Sequence, residues 1–204
     1  MQIGKIFFPI SSLGIGTRLG IWVVGCLKNC KGCANPELQY FDEGKDAPVV
    51  ELYKAIKDYP FTGVTISGGE PFLQAKDLAV LIRLLVEKGI EDILVFTGFT
   101  LEELKAKNDD DINYILANIA VLIDGPFIES KFEGHRLKGS SNQRIFYFKK
   151  EFEKAYEDYI SDGQHIDYIP VGDEVHFIGI PFPGFRELYP KMAGMNKKGR
   201  KEYE

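Results

Sequence analysis

Ile21-Trp22-Val23-Val24-Gly25-Cys26-Leu27-Lys28-Asn29-Cys30-Lys31-Gly32-Cys33 decides how the rest of the chain is read. Its first four residues are apolar and mostly β-branched, which suits a buried strand. Gly25 closes that strand, and a loop with C-x3-C-x2-C spacing follows. All three cysteines of the 204-residue chain sit in this loop. An odd number of thiols in one tight cluster makes a poor disulfide framework and a good metal-ligand set.

Three thiolates on one short loop suit an iron–sulfur cluster or zinc. A structural zinc site wants a fourth ligand, and the nearest histidine is His135, far along the chain. An iron–sulfur cube held by three cysteines instead leaves one iron open for something else to bind. Unpaired structural cysteines are the third reading.

Outward from the loop, strands and helices alternate. Val49 to Tyr59 carries Leu52, Ala55 and Ile56 at helical spacing and stops at Pro60. Gly63-Val64-Thr65-Ile66-Ser67 reads as the next strand. Asp77 to Lys88 predicts a helix with Leu78, Leu81, Ile82 and Leu85 on one face and Gly89 as terminator. Ile93 to Thr97 is a third strand, and Thr100 with Glu103 forms a capping-box pattern before another helix. Ala120 to Asp124 reads as a fourth strand and Arg144 to Phe148 as a fifth. Lys149 to Ile160 is predicted helical, and Glu174 to Ile180 a last strand.

Strands separated by such helices indicate βαβ units and a parallel sheet. Ligands collect at the carboxyl ends of parallel strands. Here those ends run into Gly25-Cys26, Ser67-Gly68-Gly69-Glu70, Thr97-Gly98 and Asp124-Gly125, four loops expected on one edge.

The composition excludes several classes. The chain is 45% hydrophobic and 27% charged with a net charge of −5, which disfavours broad contact with nucleic acid or anionic membrane. Lys197, Lys198, Arg200 and Lys201 form one basic cluster, read as a solvated tail or as a dock for an acidic partner. The apolar run Ile6 to Ile10 is broken at once by Ser11, Ser12, Gly14 and Gly16, so it is no secretory signal. No apolar stretch approaches the roughly 20 residues of a membrane span. A cytoplasmic protein of one domain, residues 1–204, is expected.

The ordered blocks resemble the radical S-adenosylmethionine (SAM) superfamily and, within it, the activating components of anaerobic (class III) ribonucleotide reductases. The resemblance rests on Gly16-Thr17-Arg18, the Ile21 to Cys26 strand end, Cys33-Ala34-Asn35-Pro36-Glu37 and Ser67-Gly68-Gly69-Glu70-Pro71. It continues through Thr97-Gly98-Phe99-Thr100, Leu122-Ile123-Asp124-Gly125-Pro126-Phe127 and Gly139-Ser140-Ser141-Asn142-Gln143-Arg144.

The resemblance implies an α/β fold, a partial (incomplete) parallel β/α barrel, with Cys26, Cys30 and Cys33 holding a [4Fe-4S] cluster that has one open iron. SAM would chelate that iron and be cleaved reductively to a 5′-deoxyadenosyl radical. It places Asn35, Gly68, Gly69, Glu70, Thr97 and Asp124 around SAM, with no catalytic side chain beyond the cluster and SAM. Gly68 and Gly69 would let backbone approach the methionine moiety, and the Glu70 carboxylate would accept from its amino group. The implied substrate is a glycyl radical enzyme, anaerobic ribonucleotide reductase first, with flavodoxin or ferredoxin as electron donor. A radical SAM enzyme acting on a small molecule or another peptide, and a non-catalytic electron-transfer or zinc module, are the alternatives.

Phe96 stands where a related activase has an acidic residue for a monovalent cation, a departure that argues against such a site and leaves it open. Trp22 is expected in the core beneath the cysteine loop. Arg18 is read as facing substrate or partner, or as a plain surface residue. His135, His165 and His176 show no ligand spacing. Residues 150–204 form a less recognisable C-terminal extension, aromatic and proline-rich from Phe177 through Pro183-Gly184-Phe185-Arg186. Covering the barrel mouth, binding the partner and packing on the core are its three open roles.

Overall fold

Apolar residues on both sides of the predicted strands require a sheet covered on both faces, and a computed structural model describing residues 1–41, 44–172 and 174–185 shows one. In chain order the elements are β1 (Gln2–Ile10), β2 (Arg18–Val23), β3 (Lys45–Asp46), α1 (Val49–Ile56), β4 (Gly63–Gly68), α2 (Ala75–Glu87) and β5 (Asp92–Phe96). Then come α3 (Leu101–Ala106), α4 (Asp110–Asn118), β6 (Val121–Asp124), β7 (Arg144–Tyr147), α5 (Glu153–Ser161), β8 (Ile166–Val171) and β9 (Glu174–Gly179). The sheet order is β3-β1-β2-β4-β5-β6-β7, and β8 pairs with β9 in a separate hairpin.

The four strands β2, β4, β5 and β6 are parallel neighbours. Their registers pair Val23 with Gly68, Ile66 with Val95, and Phe96 with Ile123, so their carboxyl ends emerge side by side. The flanks differ from the all-parallel expectation. β1 and β3, neither of them predicted, run antiparallel on one side, and β7 runs antiparallel to β6 on the other. A parallel return after β6 needs a crossover helix; residues 125–143 supply only the short turn Glu129–Lys131, so β7 folds back. The predicted last strand is likewise antiparallel, paired with β8.

Two helices also depart from prediction. The Thr100–Glu103 capping box is present in both directions, but α3 ends before Asn108, whose φ of 48° breaks the helix. Asp109 then caps α4 by accepting from the Ile112 N–H at 2.9 Å. The helix expected from Lys149 opens as a 3-10 turn, Lys150–Phe152, and becomes α5 only at Glu153.

One face of the sheet (Leu19, Ile21, Val64, Ile66, Ile93 and Val95) packs on α1, α2 and α4 through Leu52, Leu78, Leu81, Ile82 and Ile115. The opposite face is covered by the C-terminal third. Ile178 of β9 packs with Trp22, Val24 and Leu13, while Tyr156 of α5 packs with Leu94, Val121 and Ile123.

Arg18 is neither a surface residue nor a substrate-facing one: it is fully buried at the amino ends of the strands. It pairs with Asp92 and donates to Thr65 Oγ1 at 2.7 Å and to the Val64 carbonyl at 2.7 Å. Asp92 also accepts from the Tyr156 hydroxyl at 2.7 Å, and burial pushes that phenol upward in pKa. A buried guanidinium is tolerated only when so completely paired. No helix among the described residues is long and apolar enough to cross a membrane. The basic cluster Lys197 to Lys201 lies outside the described residues, as does Arg186.

Candidate active site

The cysteine loop is anchored at its base. Gly25 and Cys26 donate their N–H groups to the carbonyls of Leu38 and Gln39 at 2.8 and 3.0 Å, which ties the start of the loop to its return. Gly25 and Gly32, with φ of 92° and 73°, take left-handed turns that an L side chain resists. The Lys28 N–H lies 3.4 Å from Cys26 Sγ and the Asn35 N–H 3.4 Å from Cys33 Sγ, so two sulfurs each meet a backbone donor. All three cysteines are half-buried. Burial pushes the Cys26 and Cys30 thiols up in pKa.

Among the described residues, no three His, Cys, Asp or Glu side chains are arranged to hold a single metal ion. The three thiols on one loop are soft ligands of the kind that suit an iron–sulfur cluster or zinc.

The loop opens into a cavity of about 640 Å³ at the carboxyl ends of the parallel strands. Its walls bring together Cys26, Cys30, Cys33, Asn35, Gly68, Gly69 and Thr97, with Trp22 and Phe96 beneath. Asn35 caps nothing with its side chain; the turn after it begins without a side-chain cap. Of the six residues expected around a cofactor, Asn35, Gly68, Gly69 and Thr97 reach the cavity, and Glu70 and Asp124 do not line it.

Glu70 is buried behind the wall. Its Oε1 accepts from the Thr97 hydroxyl at 2.8 Å and the Phe72 N–H at 3.0 Å, and its Oε2 from the Gly98 N–H at 2.7 Å. Burial pushes its carboxyl up in pKa, and these donors with the nearby Lys28 charge oppose the shift. Glu70 thus shapes the wall by joining β4 to β5.

The glycines before Glu70 have a reason other than ligand approach. A Cβ on Gly68 would meet the Val23 backbone, and one on Gly69 the Gly25 and Leu38 carbonyls. The chain's own backbone fills that space.

Asp124 is also spoken for. Fully buried, it accepts from the Leu101 N–H at 2.7 Å and pairs with Arg144 through both oxygens. A buried carboxylate at the end of an apolar strand is costly alone, and Arg144 resolves that cost. Arg144 also reaches Glu102 and, by hydrogen bonding, holds that exposed carboxyl down at about 2.

Sequence reading passed over one further part of the cavity and left the role of a second open. Lys28 lies with its ammonium 4.2 Å from the Phe99 ring centre and 3.5 Å from Glu103, clasping the cysteine loop to the β5–α3 loop. Its place inside C-x3-C was the available signal. The second part is the segment from Val175 to Phe185, which forms a whole side of the cavity. Its aromatic and proline content was visible, but no periodicity pointed it inward. His176 lies there too, its ring 4.9 Å from that of Phe7. His135 instead accepts from the Leu137 and Lys138 N–H groups, and His165 meets Ser11 and Asp167.

The sequence profile of the 4Fe-4S single cluster domain matches residues 12–146, which takes in the cysteine loop and all four parallel strands. The chain belongs to that family of iron–sulfur proteins. Among curated proteins it is similar to the anaerobic ribonucleoside-triphosphate reductase-activating proteins. The Vibrio cholerae protein is 36% identical over 152 residues, covering 70% of this chain and 96% of its own. The Pasteurella multocida protein is 38% identical over 146 residues, covering 66% and 90%. That of Haemophilus influenzae is 36% identical over 153 residues, covering 70% and 96%.

Proposed function

We propose that this chain is a radical SAM activating enzyme that installs a glycyl radical on anaerobic ribonucleoside-triphosphate reductase. The observation that carries the reading is the meeting of Cys26, Cys30 and Cys33 with the Gly68-Gly69 and Thr97 loops in one cavity. The relatives named for this activity, covered over nine-tenths of their length or more, support it. In this reading the sheet is an incomplete β/α barrel in one domain, residues 1–204, with 150–204 as an extension. The protein works in the cytoplasm under anaerobic conditions and takes electrons from flavodoxin or ferredoxin.

The cluster and SAM, when bound, supply an electron and a 5′-deoxyadenosyl radical. The chain's own residues do the rest. Cys26, Cys30 and Cys33 would hold the cluster through three of its irons and leave one open for SAM. Asn35, Thr97 and the backbone of Gly68 and Gly69 offer polar groups to the methionine end of SAM. Glu70 and Asp124 act one step removed: Glu70 fixes the Thr97 hydroxyl and Gly98 N–H, and Asp124 fixes the start of α3 beside them. Trp22, Phe96 and the C-terminal segment keep water from the reacting centre.

Anaerobically reconstituted protein, incubated with reductant, SAM and the reductase, should release 5′-deoxyadenosine and give a glycyl-radical doublet in electron paramagnetic resonance. Cys30→Ala should abolish both. Loaded protein that neither binds nor cleaves SAM would refute the radical SAM reading; cleavage without the doublet would refute the partner.

A further inference from the structure

Tyr168, Phe177, Phe185 and Phe182 form a continuous strip of edge-to-face rings. Tyr168 meets Phe177 at 5.1 Å and 80°, Phe177 meets Phe185 at 5.1 Å and 75°, and Phe185 meets Phe182 at 5.3 Å and 87°. The strip starts outside the cavity, where Tyr168 is 66% exposed on β8. It enters the cavity at Phe177, and Phe177, Phe185 and Phe182, the last 40% exposed, line the cavity that the three cysteines share. Rings held in place and left open to solvent are the usual anchors of protein–protein contacts.

The strip sits on a hairpin that is firmly seated. Ile178 is buried against Trp22 and Leu13. Asp167 accepts from both the Ser11 and Ser12 N–H groups, at 2.7 and 2.8 Å, and from the Ser11 hydroxyl at 2.7 Å. The family match stops at residue 146, and 96% of the Vibrio relative is used up in aligning 70% of this chain. The strip therefore stands on a part of the chain beyond the shared core, and it borders the centre where the shared chemistry occurs.

We infer that this aromatic strip is a docking track for the polypeptide segment of the reductase that carries the reacting glycine. The inference rests on the proposed function. A hydrogen can leave the glycine only if its backbone enters the cavity, and the strip is continuous from that cavity to the outer surface. A small substrate would stay within the cavity and need nothing of Tyr168, whereas the flanks of an entering polypeptide lie along the rim. The uncharged, ring-lined track favours a segment of small and apolar residues around the glycine. Partner choice is thereby set by this chain's own C-terminal hairpin.

The test uses the full-length, cluster-loaded protein with Tyr168→Ala, an exposed position outside the cavity, beside the aromatic-preserving Tyr168→Phe. Four quantities are read: KM for the reductase in glycyl-radical formation, Kd for the reductase, SAM affinity, and SAM cleavage without the reductase. Tyr168→Ala should raise KM and Kd by about tenfold and leave both SAM readouts unchanged, and Tyr168→Phe should restore KM and Kd. Unchanged KM and Kd in Tyr168→Ala, with a parent that activates normally, overturn the docking track alone. A matching fall in SAM affinity also overturns it, since the strip would then belong to the SAM pocket. A parent that cleaves SAM but neither binds nor activates the reductase overturns the track together with the proposed partner.

Discussion

The Thr97 hydroxyl donates to Glu70 Oε1 at 2.8 Å, joining the carboxyl end of β5 to that of β4 behind the cavity wall. The same carboxylate holds the N–H groups of Phe72 and Gly98. Glu70→Ala strands three buried donors and should cost at least about 2 kcal/mol in urea unfolding of the cluster-free chain. Glu70→Gln keeps one acceptor oxygen and should lose less. SAM affinity should fall in the order parent, Gln, Ala. Equal stability of Glu70→Ala and parent would mean that the three donors find other partners.

Gly69→Ala tests the packing of the two loops. Its Cβ would press on the Gly25 and Leu38 carbonyls, and Gly25 begins the cysteine loop. Overpacking of this kind costs about 1–3 kcal/mol. Thermal unfolding should shift down, and iron and sulfide content after reconstitution should drop although no ligand is altered. Full iron loading would show that the two loops are independent.

Glu102 supplies a pH test. Its folded pKa of about 2 lies below the ordinary 4.5, because Arg144 hydrogen-bonds its charged form. The unfolded chain therefore binds more protons between these values, and stability rises with pH across that window. The contribution is whole above about 4.5 and fades as pH falls toward 2. It is small, because solvent and salt screen an exposed pair. Carboxyl chemical shifts in the folded, cluster-free protein should give a midpoint well below 4.5 that Arg144→Gln returns toward 4.5. A parent midpoint already at 4.5 would rule out the pairing.

The buried pair Arg18–Asp92 should be the most sensitive point far from the cavity. Asp92→Ala leaves a buried guanidinium without its carboxylate, a loss of roughly 3–5 kcal/mol. Tyr156→Phe removes one hydrogen bond to that carboxylate, about 1.5–3 kcal/mol. The two losses should not add, since both act on one network. Strict additivity in denaturant unfolding would separate Tyr156 from the pair.

What sequence could reveal followed burial. β2, β4, β5 and β6 were legible because strands covered on both faces are written as unbroken apolar runs, and their shared edge followed from βαβ logic. β1 was not, since Gly4, Lys5 and Pro9 punctuate it. The cysteine loop was legible as a local spacing, and Asn35, Thr97 and the two glycines were named through the family resemblance. Asp124 was placed around SAM, and its pairing with Arg144 depends on the antiparallel register that sets the two opposite each other. Glu70 likewise needed the β4–β5 adjacency before its acceptors could be seen as filled. The hairpin's role required knowing which face of the sheet the helices had left bare.

That covering of the bare face has an order in time. The cysteine loop leaves the ribosome early, whereas Ile178 and the rings around it come at the far end of the chain. At ordinary elongation speed the interval is of the order of ten seconds. Throughout it the three thiols border a groove that the hairpin does not yet cover. Once the hairpin seats, its residues form one side of the cavity that the thiols share. The three sulfurs are therefore reached more widely while the chain is being made than after its last strand is in place.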